Sequence, residues 1–178
     1  MKKLNLSDIV FIAIITAVFL LLSGIIAPFV MTSSQLGLQG MAMSFTTALF
    51  YTIGLRKVPK AGALTLGGIF SGLFLMLMTP VLFFNQFIGA ILAEGFALLV
   101  KRNFSRKVNI SLATASYGFF TIPTTGLINY FVRGKDLAQQ IGNPIFFIFL
   151  IVLSLVLGYI GAKIGHKLAD TLEEAGKL

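Results

Sequence analysis

The chain contains no cysteine and no tryptophan, and only 11% of its 178 residues are charged. Without cysteine, disulfides, thiolate metal sites and cysteine nucleophiles are excluded. A soluble domain usually carries charge on roughly a quarter of its residues, so this composition excludes an ordinary soluble fold. There is no GxxxxGK[ST] phosphate loop, so the chain cannot hydrolyse ATP by that route. Neither HExxH nor an Asp/Glu/His cluster offers a metal site, and no cofactor is expected. His166, the single histidine, stands among lysines near the carboxyl end, where a solvated helix terminus is the expected role and a catalytic base is not. No acid and base lie within reach of one another, so the chain is not expected to be an enzyme.

What the chain has instead is apolar length. Hydrophobic residues make up 57% of it, and its mean hydropathy is +0.94. Six long apolar segments occupy nearly the whole sequence, over residues 8–31, 36–55, 61–78, 81–100, 108–132 and 142–168. The expectation is an all-α integral membrane protein, a single domain over residues 1–178 with six transmembrane helices. Lys2 and Lys3 before the first run imitate a signal peptide, but the run is long, lacks a small-residue cleavage pattern and ends in Pro28. It reads as a retained first helix. The net charge of +8 does not imply nucleic-acid binding, because the basic residues are spread over helix ends instead of gathered on one face.

Twelve of the 14 Lys and Arg residues fall at the amino terminus, the second and fourth connections and the carboxyl terminus; Arg133 and Lys135 are the other two. By the positive-inside rule both termini are cytoplasmic, in a multi-pass protein of a prokaryotic cell membrane. The uncharged loop 32–35, Asn85, Gln86 and the polar half of the fifth helix then fall toward the outside.

Three features carry functional expectations. Ala13 and Ala17, four residues apart, make a flat strip on the first helix where another helix backbone can approach. Gln39, Asn85, Gln86, Thr121, Thr125, Asn129, Tyr130 and Asn143 form an outer set of uncharged amides and hydroxyls among many phenylalanines. Such a set suits a small, mostly neutral or aromatic solute, with stacking for affinity and amides for orientation; the competing reading is that the hydroxyls satisfy their own helices and the asparagines cap helix ends. The loop 32–35 is the expected lid. Glu94 is the only acid deep inside a span, roughly 10 Å from the helix end by helical rise, and needs compensation. It is open to a structural ion pair or hydrogen bond, with Lys163 the nearest partner by linear position, to a partner interface, or to ligand or proton binding.

Six helices in under 180 residues, Ala13-x-x-x-Ala17 and the terminal Gly158-x-x-Gly161-Ala162-Lys163-x-Gly165-His166-Lys167-Leu168 together give a resemblance. The chain resembles the S-components of energy-coupling factor (ECF) transporters, membrane subunits that capture vitamins and related micronutrients in prokaryotes. Its turn Lys57-Val58-Pro59-Lys60-Ala61-Gly62-Ala63-Leu64 looks like that of the Trep-Strep subgroup. The resemblance implies that Ala13 and Ala17 contact a transmembrane T-component, that two ATPase subunits energise transport, and that the subunit topples in the lipid bilayer to deliver its solute. It does not identify ligand residues. The alternative function is a stand-alone proton-coupled secondary carrier that uses Glu94.

Overall fold

The computed structural model describes residues 3–31, 36–101, 104 and 106–176, and among them all regular structure is helical. The elements are α1 (Leu6–Met31), α2 (Leu36–Lys57), α3 (Ala63–Met76), α4 (Pro80–Lys101), α5 (Lys107–Arg133), α6 (Leu137–Ile141) and α7 (Pro144–Glu174). Seven helices therefore replace the six expected. The additional one, α6, is a short helix in the connector after α5, started by the Asp136 side chain, which accepts from the Ala138 N–H.

Residue placement is the reverse of a soluble protein. Large apolar side chains point outward, with Leu99 87% and Ile145 80% exposed, while Ala48, Thr52, Ser71 and Ser154 are fully buried. In lipid there is no gain from hiding leucine, and helices associate by close backbone approach and hydrogen bonds between small residues. Buried hydroxyls meet this demand where Thr52 and Thr114 share a hydrogen bond of 2.9 Å between α2 and α5, and elsewhere satisfy themselves within a helix, as Thr16 does by donating to the Ile12 carbonyl at 2.8 Å.

Among the described residues, three helices are long and apolar enough to cross a membrane, within Leu6–Ile25, Pro80–Val100 and Pro144–Glu174. The helices α2 and α5 lie between others, α2 packing on α1, α3, α5 and α7, and α5 on α2, α4 and α7. Their polar residues face neighbouring helices, which lowers their hydropathy without exposing polarity to lipid. α3 is apolar but short.

The α2–α7 contact is the most extensive. It uses two glycines of the terminal motif: a Cβ on Gly165 would stand 2.6 Å from the Leu49 carbonyl oxygen and one on Gly161 would run into the Phe45 carbonyl, while Gly158 seats α5, a Cβ there standing 2.9 Å from the Ala115 Cα. In α3 the small residues seat other helices. Gly67 lies under the Tyr51 ring, Gly68 against Ala90 and the Gln86 carbonyl, and Gly72 against Phe83. The small residues of α3 thus serve chiefly its contact with α4.

The start of α1, the α2–α3 turn, the start of α5 and the end of α7 meet at one end of the bundle. There Lys60 pairs with Asp8 and donates to Asn5 at 2.8 Å, tying the start of α1 to the turn before α3. Arg56 reaches Asp170 at 2.6 Å and Glu173 at 2.7 Å, and Lys107 reaches Asp170 at 2.7 Å, so α2, α5 and α7 are clasped through one carboxylate. Glu173, half exposed, is a member of this clasp. His166, expected at a solvated helix terminus, is instead buried, its Nε2 within 2.9 Å of the Ser111 hydroxyl and 3.0 Å of the Lys107 carbonyl oxygen. Because His166 lies on the Gly158–Gly165–Ala169 face that α7 turns inward, the helix contact and not the solvent receives it.

Candidate functional site

At the other end of the bundle the helices separate around a cavity of about 440 Å³. α1 contributes Phe19, Leu20 and Ser23; α2 contributes Met43, Ser44 and Thr47; the end of α3 and the start of α4 contribute Phe74, Leu75, Asn85 and Gln86; α5 contributes Tyr117, Thr121, Ile122 and Thr125. Each polar group arrives by helical spacing. Asn85 and Gln86 sit in the second turn of α4, whose first turn is set by Pro80 at the first helical position, where the missing N–H is no loss. Tyr117, Thr121 and Thr125 recur every four residues and so share one face of α5. The helix continues through Pro123, and the face is not interrupted.

The lining is mostly apolar, and none of its described residues is charged. Its hydroxyls on α2 and α5 have committed their protons, while the Ser23 hydroxyl of α1 is buried without a partner among the described residues. Ser44 donates to the Gly40 carbonyl at 2.7 Å, Thr47 to Met43 at 2.8 Å, Thr121 to Gly118 at 3.2 Å and Thr125 to Thr121 at 2.7 Å, each within its own helix. The Tyr117 hydroxyl donates to the side-chain oxygen of Gln86. Behind it, Tyr51 meets the Tyr117 ring edge-on with centroids 5.4 Å apart and donates to Ser71 at 3.1 Å. The cavity floor is therefore a fixed aromatic and hydrogen-bonded layer. The Asn85 Oδ1 is buried without a partner among the described residues.

Of the eight residues expected to bind solute, the structure brings Asn85, Gln86, Thr121 and Thr125 together on this cavity. Asn129 is buried on α5 beyond the lining, with its Oδ1 unpartnered among the described residues. Tyr130 is 46% exposed and rests against Phe131. Asn143 caps α7, accepting from the N–H groups of Ile145 and Phe146 at 2.9 and 3.3 Å. The side chain of Gln39 and the loop 32–35 lie outside the described residues. Sequence reasoning passed over Ser23, Ser44, Thr47 and Tyr117 as solute contacts. Extending the Thr121–Thr125 stripe one step back to Tyr117 finds the last of these; Ser23 sits in an apolar stretch that gives no local signal.

Glu94 lies apart from the cavity lining. It is buried in α4, accepts from the Gly62 N–H, and accepts from the Thr65 N–H at 2.8 Å and the Thr65 hydroxyl at 2.6 Å. These are donors of the first turn of α3, whose N-cap Gly62 takes φ +90° and has no side chain to cap with. A carboxylate there satisfies orphan N–H groups and lies at the positive end of the helix dipole. Lys163 is not its partner: its ammonium stands 5.1 Å from the Tyr159 ring centroid on the outer side of α7. Linear depth in two helices does not bring them face to face.

On α1 the inward face is Ile12, Thr16 and Phe19, while Ala13 is half-buried and Ala17 exposed. The alanine strip is therefore not consumed by packing within the chain.

The family model described as a hypothetical bacterial integral membrane protein (Trep_Strep) matches residues 6–170. No curated protein and no solved structure matches the chain.

Proposed function

This chain belongs to the Trep_Strep family of bacterial integral membrane proteins, and from that premise we propose that it is the solute-capture subunit of an ECF-type importer. It binds a vitamin or related small micronutrient from the outer side, within a six-span bundle whose termini are cytoplasmic. A transmembrane T-component and two ATPase subunits then drive delivery. The observation that carries this reading is the 440 Å³ cavity at the end of the bundle opposite the termini, a volume within the usual range for small-molecule sites. The free alanine strip of α1 supports a helix partner in the membrane, since Ala13 and Ala17 leave room for a backbone to come close.

A proton-coupled carrier would need an acid free to change protonation as solute moves. Glu94 is the acid inside the bundle, and both its oxygens are taken up by the Gly62 and Thr65 donors that start α3, apart from the cavity lining. No observation favours that second reading. The decisive experiment is reconstitution in vesicles with and without the T-component and ATPases, following accumulation of a solute identified by mass spectrometry of the purified subunit. ATP-dependent uptake that needs all subunits is the expected result. Uptake by this chain alone, driven by a proton gradient, would overturn the proposal.

A further inference from the structure

The protons around the cavity are distributed unevenly, and this specifies the solute's hydrogen-bonding pattern. On α2 and α5 the hydroxyls of Ser44, Thr47, Thr121 and Thr125 give their hydrogens to carbonyls of their own helices. A hydroxyl has a single proton and two lone pairs, so these four can offer a solute only acceptors. The Tyr117 proton is spent on the Gln86 side-chain oxygen, which leaves the Gln86 amide N–H₂ as that residue's free donor. At Asn85 the oxygen is shut in, while its N–H₂ is not among the buried, unpartnered groups. The α4 wall thus presents donors and the α2 and α5 walls present acceptors.

Charge is absent from the described lining. The cations and carboxylates of the clasp lie at the opposite end of the bundle, and Glu94 is occupied by Gly62 and Thr65. Arg133, at the cavity end, donates to the Thr79 hydroxyl and is not in the lining, so an ionised solute would enter a mainly apolar chamber with no countercharge among its described lining residues, an unfavourable transfer for any unpaired ion. Phe19, Phe74 and Tyr117 supply faces for a flat ring.

We infer that the captured solute is an uncharged ring compound with a carbonyl-type acceptor directed at the Asn85 and Gln86 amides and an N–H or O–H donor directed at the hydroxyl oxygens of α2 and α5. Ring lactams and cyclic imides have this pattern. The inference rests on the solute-capture reading above and narrows it to a substrate class.

The test exposes the detergent-purified subunit to two mixtures and identifies what it retains through gel filtration by mass spectrometry. One mixture is a bacterial metabolite extract. The other is an equimolar panel of quinazolinone and pyridone, their N-methyl derivatives, and the matched ring carboxylates. Expected are retention of neutral lactams or imides, at least ten-fold less retention of the N-methyl forms, and none of the carboxylates. Gln86→Met removes the amide donor at nearly constant length and adds no charge, so lactam retention should fall on the order of ten-fold. Thr125→Val should lower it similarly and Thr125→Ser should restore it, which separates an acceptor role from a packing role. Preferential retention of carboxylates or phosphates, or equal retention of N-methyl and parent rings, overturns the donor–acceptor assignment and leaves solute capture standing. Retention of nothing from either mixture removes solute capture, and this inference with it.

Discussion

Glu94 of α4 holds Thr65 of α3 twice, through its backbone N–H at 2.8 Å and its hydroxyl at 2.6 Å. The only acid deep in the bundle is thus a cap supplied to one helix by its neighbour. Glycine at position 62 gives the turn the left-handed φ it needs but offers no capping side chain, and the carboxylate from α4 fills that role.

Glu94→Gln should therefore reveal a structural role. The amide keeps one acceptor and turns an N–H₂ toward groups that are themselves donors, a loss of about 2 kcal/mol for charge-assisted bonds. Thermal unfolding of the purified subunit should shift down, with solute affinity within about two-fold of wild type. A stable Glu94→Gln protein with abolished binding would place Glu94 in the solute site instead.

The terminal glycines should tolerate no side chain. Gly165→Ala puts a methyl 2.6 Å from the Leu49 carbonyl oxygen and 2.9 Å from the Thr52 Cβ, so α7 must move away from α2. Overpacking of this kind costs about 1 to 3 kcal/mol. Gly95→Ala, with nothing within 4 Å, should leave the melting temperature unchanged or raised. Equal behaviour of the two variants would contradict the α2–α7 contact.

Ala17→Trp should separate assembly from folding. The side chain is exposed, so the isolated subunit should melt normally and keep its solute, while co-purification with a T-component is lost. Assembly at wild-type level would remove Ala17 from the partner surface.

The two tyrosines should divide their roles. Tyr117→Phe frees the Gln86 amide to rotate and should weaken solute binding by roughly three- to ten-fold, about 0.5 to 1.5 kcal/mol for one hydrogen bond. Tyr51→Phe loses a bond to Ser71 behind the floor and should lower stability by a similar energy with affinity kept. Calorimetry and thermal unfolding on both variants give the comparison, and an unchanged affinity in Tyr117→Phe would argue that Gln86 is not oriented by it.

Membrane topology is checked by single cysteines in the naturally cysteine-free chain. Arg106→Cys, at the end that holds both termini, and Lys135→Cys, at the opposite end, should react with an impermeant maleimide from opposite sides, Lys135→Cys from outside. Labelling of both from one side would break the six-span reading.

The sequence by itself determined the class, the helix boundaries to within a few residues for most elements, and four of the polar residues that line the cavity. Apolar length, charge position and four-residue spacing are local, and a chain in lipid must satisfy its backbone within each helix, so these quantities survive folding almost unchanged. The terminal glycines Gly158, Gly161 and Gly165 stood in the sequence only as part of a family motif; the structure turns Gly158 onto α5 and the other two onto α2. Tertiary structure alone decided which polar residues meet. Asn143 and Asn85 are the same residue type near the same end, yet one closes a helix start and the other lines a cavity, because capping depends on the preceding turn and lining depends on which helix stands opposite. Glu94 and Lys163 looked like partners in linear depth, but the rotation of each helix about its axis turned one toward Thr65 and the other outward. Azimuth is fixed by packing between helices distant in sequence, and no local pattern along either one encodes it.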